Sequence, residues 1–205
     1  MSICCSVTPG PLAADSGEVL TPDFGDRLAA AKSGDDAAFA QVWRDLNPSL
    51  VRYCVGMSGD PGEDAAADTW IEVVKRLPTF AGDSSDFRSW LFTIARSKIV
   101  DAWRRESRRP ADSVPDLEMI ADLPAVRSAA DEAMESISTD AALALIAQLP
   151  REQAEIVLLR VIAGLDVAAV ASIVGCSVGN VRVRQHRGLR KLAEVVEREK
   201  TAVTQ

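Results

Sequence analysis

The residues best placed to do chemistry lie in the last third of the chain. From Val178 onward, Asn180, Arg184, Arg187 and Lys191 recur at spacings of three and four, which puts them on one face of a helix. Val181, Leu189 and Leu192 fall on the opposite, apolar face. Guanidinium and carboxamide groups in such a row can hold phosphates and pair with base edges, so the chemistry expected is recognition in a DNA major groove. Covalent chemistry has little support. The single histidine, His186, sits among these arginines, and no nucleophile–base set, phosphate-binding glycine loop or metal-ligand spacing accompanies it. The cysteines are Cys4, Cys5, Cys54 and Cys176, and none belongs to a zinc-type spacing. Reduced thiols are expected, with a redox role for Cys4-Cys5 left open. The expectation is therefore no enzyme, no cofactor and no metal.

The elements that must position this face form a helix-turn-helix. Pro150 suits a first helical turn, where its missing N–H would be unpaired anyway. Ile156, Val157, Leu158, Leu159, Val161 and Ile162 give a buried helix, and Gly164 a stop. Asp166 can cap a short helix carrying Val167, Val170, Ala171 and Val174. Gly175-Cys176-Ser177 makes the turn, and Ser177 can cap the basic helix that follows.

Charge is distributed unevenly. The chain is acidic overall at −7, yet residues 88–109 hold seven basic and two acidic side chains, and residues 177–205 hold seven and three. Two basic patches separated by an acidic segment suggest two nucleic-acid contacts, with another partner for the acidic parts. The 205 residues allow one or two small domains, and the pattern is helical throughout, with no convincing alternating strand. The expected organisation is all-α: a disordered tail over 1–22, a helical domain over 23–109, an acidic flexible linker over 110–137, a second domain over 138–200 and a short tail over 201–205. Residues 1–22 lack the basic start and apolar core of a signal peptide, and no segment reaches the roughly 20 apolar residues that span a bilayer. A cytoplasmic protein without membrane insertion is expected.

In the first domain, Phe24, Leu28 and Ala31 form a short amphipathic piece. Asp35 or Asp36 caps a helix with Phe39, Val42, Trp43, Leu46, Leu50 and Tyr53, which Pro48 can bend. Asp60-Pro61 starts a helix striped with Ala65, Trp70, Ile71, Val74 and Leu77. The loop from Phe80 to Asp86 leads to a long helix from Phe87 to about Arg108, with Leu91, Ala95, Ile99 and Ala102 facing a core. Its end, Trp103-Arg104-Arg105-Glu106-Ser107-Arg108-Arg109, embeds an aromatic in arginines. Trp103 either stacks on an unpaired base or extends the buried face.

These residues resemble the extracytoplasmic-function (ECF) sigma factors, small bacterial initiation factors of two folded domains. The likeness runs from Phe39-Ala40-Gln41-Val42-Trp43 through Asp60-Pro61-Gly62-Glu63-Asp64 to Phe87-Arg88-Ser89-Trp90-Leu91-Phe92-Thr93-Ile94-Ala95-Arg96. It resumes at Leu149-Pro150-Arg151-Glu152-Gln153 and ends at Val181-Arg182-Val183-Arg184-Gln185-His186-Arg187. The resemblance implies that the first domain binds the clamp of core RNA polymerase through Asp64, Asp68, Trp70, Glu72 and Arg76. It implies that Asp83, Ser84 and Ser85 shape a pocket for a base flipped from the melting −10 element, with Arg88, Arg96, Arg104 and Arg105 on strand phosphates. It implies a −35 reading helix with Ser177, Asn180, Arg182, Val183, Arg184, Arg187, Arg190 and Lys191 at the DNA. Promoter DNA, core polymerase and an anti-sigma factor, often membrane-anchored, are the implied partners of a monomer that serves transcription regulation and stress response.

The linker carries Asp112, Asp116, Glu118, Asp122, Asp131, Glu132 and Glu135 against Arg127, broken by Pro110, Pro115 and Pro124. It is either a solvated tether or, as the resemblance implies, a strand through the polymerase's basic cleft. Two departures stand out. Asp64-Ala65-Ala66-Ala67-Asp68 lacks the glutamine–glutamate run common in the clamp helix, and Gln185 replaces a common leucine. Gln185 either packs and hydrogen-bonds or turns toward DNA. A helix-turn-helix repressor would explain the second half only, and would bind duplex DNA alone.

Overall fold

The computed structural model describes residues 23–59, 61–107 and 141–203, and every regular element among them is helical. The first unit comprises α1 (Phe24–Lys32), α2 (Asp36–Ser58), α3 (Gly62–Arg76), a 3-10 turn at Leu77–Thr79 and α4 (Ser84–Glu106). The second comprises α5 over 141–147, α6 (Arg151–Val157), α7 (Val167–Val174) and α8 (Val178–Val203). The expected tail over 1–22, the linker over 110–137 and the cap at Asp60 lie outside the described residues.

Local chemistry sets the helix starts. Asp35 accepts from the Ala37 and Ala38 amides at 2.9 and 3.0 Å, so it is the cap of α2, which runs unbroken through Pro48. Asp83 accepts from the Ser85 and Asp86 amides while Asp86 accepts from the Asp83 amide, a reciprocal capping box. Helix α4 therefore begins at Ser84, three residues earlier than the sequence suggests. Such a cap is worth about 1 kcal/mol.

The first core is built from Val42, Leu46, Leu50 and Tyr53 of α2, Phe87, Leu91, Phe92, Ala95 and Ile99 of α4, and Phe24 and Leu28 of α1, all buried. Each large apolar side chain so buried contributes about 1.5–3 kcal/mol. The edge of Phe92 meets Tyr53 with ring centroids 5.4 Å apart. Helix α3 departs from expectation. Ile71 and Val74, expected inside, are 54% and 53% exposed, while Ala66, Thr69 and Val73 turn inward. The Trp70 indole sets this rotation: it donates to Asn47 Oδ1 at 2.9 Å and packs edge-on to Phe39.

In the second unit, α6 does not continue as one regular helix. It widens into a π-helical turn at Leu158–Ile162, which buries Leu158 and Leu159 and leaves Val161 exposed rather than inward. Gly164 ends this segment, and Asp166 caps α7 by accepting from the Ala169 amide at 2.7 Å. Gly175 is left-handed at φ 73°, which a residue bearing Cβ adopts only at a cost, and α7 and α8 are bent by 100° across that turn. The Ser177 hydroxyl then accepts from the Asn180 amide at 3.2 Å. The two units touch, α4 packing on α7, and α2 on α6 and the π turn. No single helix among the described residues is long and apolar enough to cross a membrane.

Candidate nucleic-acid and polymerase interface

Helix α8 packs one face on α6 and α7 and leaves the other open. Its inward stripe is Val181, Gly188 and Val195, with Arg184 and Leu192 half-buried between them. Two expectations are corrected here. Leu189 is 42% exposed, because Gly188 occupies the position facing α6, and a Cβ there would stand 3.0 Å from Val157 Cγ2. Arg184 does not lie on the open face: its guanidinium turns back to Glu152 at 3.0 Å. It sits three residues from Val181 and four from Gly188, within the stripe that α6 covers.

The open face holds Asn180, Arg182, Val183, Arg187, Arg190 and Lys191, all exposed. Arg187, Arg190, Lys191 and Arg198 line an open groove of about 530 Å³ together with His186, Gln153 and Glu194, so four cations against one carboxylate share that surface. Arg190 keeps a loose 3.4 Å pair with Glu194, too exposed to hold it from a phosphate. Ser177 is exposed but committed to its cap. Gln185 is half-buried and accepts from Arg160 Nε at 3.4 Å, so the packed alternative describes it. Arg160 also donates to the Leu165 carbonyl, which ties the π turn to the loop before α7.

The loop before α4 is anchored by aromatics. Phe80 packs on Phe87 and Trp90 with centroids 5.4 and 4.9 Å apart, and Arg76 lies over the Trp90 ring. Asp83 and Ser85 are exposed and Ser84 half-buried, all within the first turn or cap of α4. The Asp83 carboxylate is committed to the Ser85 and Asp86 amides, so it fixes the turn that opens α4.

The cations of α4 divide. Arg104 and Arg105 are exposed, Arg104 within 3.4 Å of Asp101. Arg88 and Arg96 are engaged by the second unit instead: Arg88 Nη1 donates to the Ala163 carbonyl at 3.0 Å, and Arg96 Nε to Glu155 Oε1 at 2.7 Å. Burial lowers the Arg88 guanidinium from its ordinary value. Trp103 is half-buried against the core with the Arg151 guanidinium over its ring, so in this arrangement it extends the packed face. Beneath lie Tyr53 and Cys54, both fully buried. Burial, and then the neighbouring Glu155 carboxylate, hold the Tyr53 phenol well above its ordinary value. Burial pushes the Cys54 thiol up to about 12, which leaves it protonated and unreactive at neutral pH.

On α3, Asp64 and Asp68 are exposed along one face, with Ile71 one turn further and Lys75 beyond. Glu72 is half-buried and pairs with the exposed Arg76 at 3.6 Å. Trp70 is corrected: at 7% exposure, with its N–H spent on Asn47, it is core and cannot present a surface to a partner. Sequence reasoning missed Ile71, which an exposed isoleucine beside two aspartates makes the apolar centre of that face. It also missed Glu155, the one charged residue in the apolar run 154–159.

Residues 42–109 match the Sigma-70 region 2 family, and residues 139–192 match the Sigma-70, region 4 family. The chain is 32% identical over 190 residues to the ECF RNA polymerase sigma factor SigD of Mycobacterium tuberculosis, covering 84% of this chain and 85% of that protein. It is 31% identical over 186 residues to the ECF RNA polymerase sigma factor BldN of Streptomyces coelicolor, covering 90% of this chain and 69% of that one. In fold it resembles the sigma factor RpoE of Bartonella quintana, solved with the anti-sigma factor NepR: TM-score 0.60, 24% identity, 78% of this chain and 96% of that chain. A second likeness in fold is to CnrH, solved with the cytosolic domain of CnrY, with TM-score 0.55 and 22% identity over 84% of this chain and 96% of that chain. The chain belongs to the ECF class of RNA polymerase sigma factors. Its activity is accordingly to direct core polymerase to specific promoters in transcription initiation.

Proposed function

We propose a division of that activity among three surfaces. The exposed arc of α3, Asp64, Asp68 and Ile71 with the Glu72–Arg76 pair at its end, docks on core polymerase. The loop from Phe80 to Asp86 and the cations Arg88, Arg96, Arg104 and Arg105 take the −10 strand as it melts. The open face of α8, chiefly Asn180, Arg182, Val183, Arg187, Arg190 and Lys191, reads the −35 element. The observation that carries this reading is segregation: acidic and apolar groups are exposed together on α3, and cations together on α8. One ligand cannot satisfy both. An apolar side chain ringed by charge is the usual centre of a protein interface, whereas converging arginines suit phosphate and base edges.

The chain thereby selects the start site in the cytoplasm while polymerase performs the catalysis. Pull-down of core polymerase tests the first surface. Asp68→Lys with Ile71→Asp is expected to weaken core binding about tenfold or more, and Arg187→Ala to leave it unchanged. Equal core binding by all three proteins would remove α3 from the contact.

An anti-sigma protein is the remaining partner, by likeness to relatives solved with NepR and CnrY. Affinity capture from unstressed cells is expected to recover a second stoichiometric protein in place of polymerase. Recovery of polymerase alone under every condition would contradict sequestration.

A further inference from the structure

His186 lies on the open face of α8 and has no task in the division above. It is the only histidine in the chain. The ring is exposed, and among the described residues no hydrogen bond or ion pair engages it. Its place on the helix is set by spacing. Arg182, His186 and Arg190 recur at intervals of four, which sets them about 6 Å apart along the axis. All three are exposed, and they run beside the row of Asn180, Val183 and Arg187. A helix about 10–12 Å across fills a major groove about 12 Å wide, so a row flanking the base-reading one faces the phosphates of the groove wall.

We propose that His186 is a conditional phosphate contact: once protonated it completes a row of three cations with Arg182 and Arg190, and −35 binding takes up a proton. The inference rests on the assignment of the open face of α8 to the −35 element. Histidine is the side chain that changes charge between about pH 5 and 8, and an anion within about 4–6 Å favours its charged form.

The chain itself offers the ring little negative charge. Glu194 is the one carboxylate in the groove, against Arg187, Arg190, Lys191 and Arg198, and it pairs with Arg190 at 3.4 Å. Helix α6 brings Gln153 to the groove. The charged groups of α6 are spent elsewhere: Arg151 lies over Trp103, Glu152 pairs with Arg184, and Glu155 with Arg96. Arg160 of the π turn donates to Gln185 and to the Leu165 carbonyl, and α7 (Val167–Val174) carries no titratable side chain. A phosphate of the docked promoter is therefore the anion that favours the charged ring. The bound chain then holds more protons than the free one, so affinity rises as pH falls through neutrality and drops as pH rises.

Holoenzyme carrying the parent chain, His186→Gln or His186→Arg is titrated onto a duplex bearing both elements of a promoter mapped by run-off transcription, at about pH 6 and about pH 8. The ring is exposed, so neither substitution disturbs the core, and comparison at each pH removes polymerase's own titrations. At the lower pH the parent is expected to bind about two- to fivefold more tightly than His186→Gln, the range of one exposed charge pair. At the higher pH the two should lie close together, while His186→Arg keeps the gain at both. Salt gives a second readout. At the lower pH alone, the slope of log affinity against log salt should be steeper by about 0.9 for the parent than for His186→Gln, as one more phosphate is neutralised. A parent that tracks His186→Gln in affinity and in salt slope at both pH values would overturn the proposal. Arg187→Ala, run alongside, then separates the causes: a loss of affinity there confines the failure to His186, and no loss would remove the −35 reading of α8 with it.

Discussion

Gly62→Ala is expected to destabilise the first domain by about 3 kcal/mol, at the upper end of overpacking costs, and to lower its melting temperature by roughly 12–24 °C. The reason is backbone, not side chain. A Cβ at position 62 would stand 2.4 Å from the Val55 amide nitrogen and 2.5 Å from the Cys54 carbonyl carbon and oxygen. Neither can rotate away, so α3 must back off from α2, and with it the Trp70–Asn47 hydrogen bond that orients the exposed arc. Gly179→Ala is the control, since its Cβ meets only Ser177 Oγ at 3.9 Å and its stability should stay near the parent's. Thermal unfolding by circular dichroism checks both. Equal melting of the Gly62 variant and the parent would show that α3 does not press on α2.

The second large effect is at the promoter. Arg187→Ala is expected to cost about 1–3 kcal/mol of promoter binding by the holoenzyme, the range for loss of a paired base contact. Arg184→Ala is expected to cost less. Its partner Glu152 is 71% exposed at the side chain, so that pair is screened and worth at most about 1 kcal/mol, and the substitution acts through the seating of α8 on α6. Glu152→Ala should therefore reproduce the Arg184 effect and leave the Arg187 effect untouched. Holoenzyme titrations on one −35 duplex measure all three. A loss at Arg184 equal to that at Arg187, with none at Glu152, would mean that Arg184 turns to DNA when bound.

What was legible in the sequence was chemistry confined to one helix or turn. Asp35, Asp166 and Ser177 cap because each side chain needs only amides two or three residues on. Gly175 marks the turn because its backbone demands it. The apolar stripes of α2 and α4 were legible for the same reason, being dense enough to define a direction on their own. Apart from the start of α4 and Val161 in the π turn, which are set locally, the misplacements involve a partner distant in sequence. Ile71 and Val74 are turned out by a hydrogen bond from Trp70 to a residue 23 positions away. Leu189 and Arg184 exchange faces because α6 approaches closely at Gly188, which a helical wheel drawn from side chains counts as blank. Arg88 and Arg96 were readable as free cations, and only the packing of the two units shows them occupied. The charge pattern did foreshadow one of these, since Glu155 is a lone carboxylate in an apolar run and such a group needs a partner.

The family assignment and the three-surface reading meet in one measurement. Run-off transcription on pooled promoter fragments, with purified core polymerase and with or without this chain, should give discrete starts that require the chain. The same reaction with Arg187→Ala should give those starts more weakly. Absence of any chain-dependent start, together with tight duplex binding by the chain alone, would contradict the account and point to a repressor.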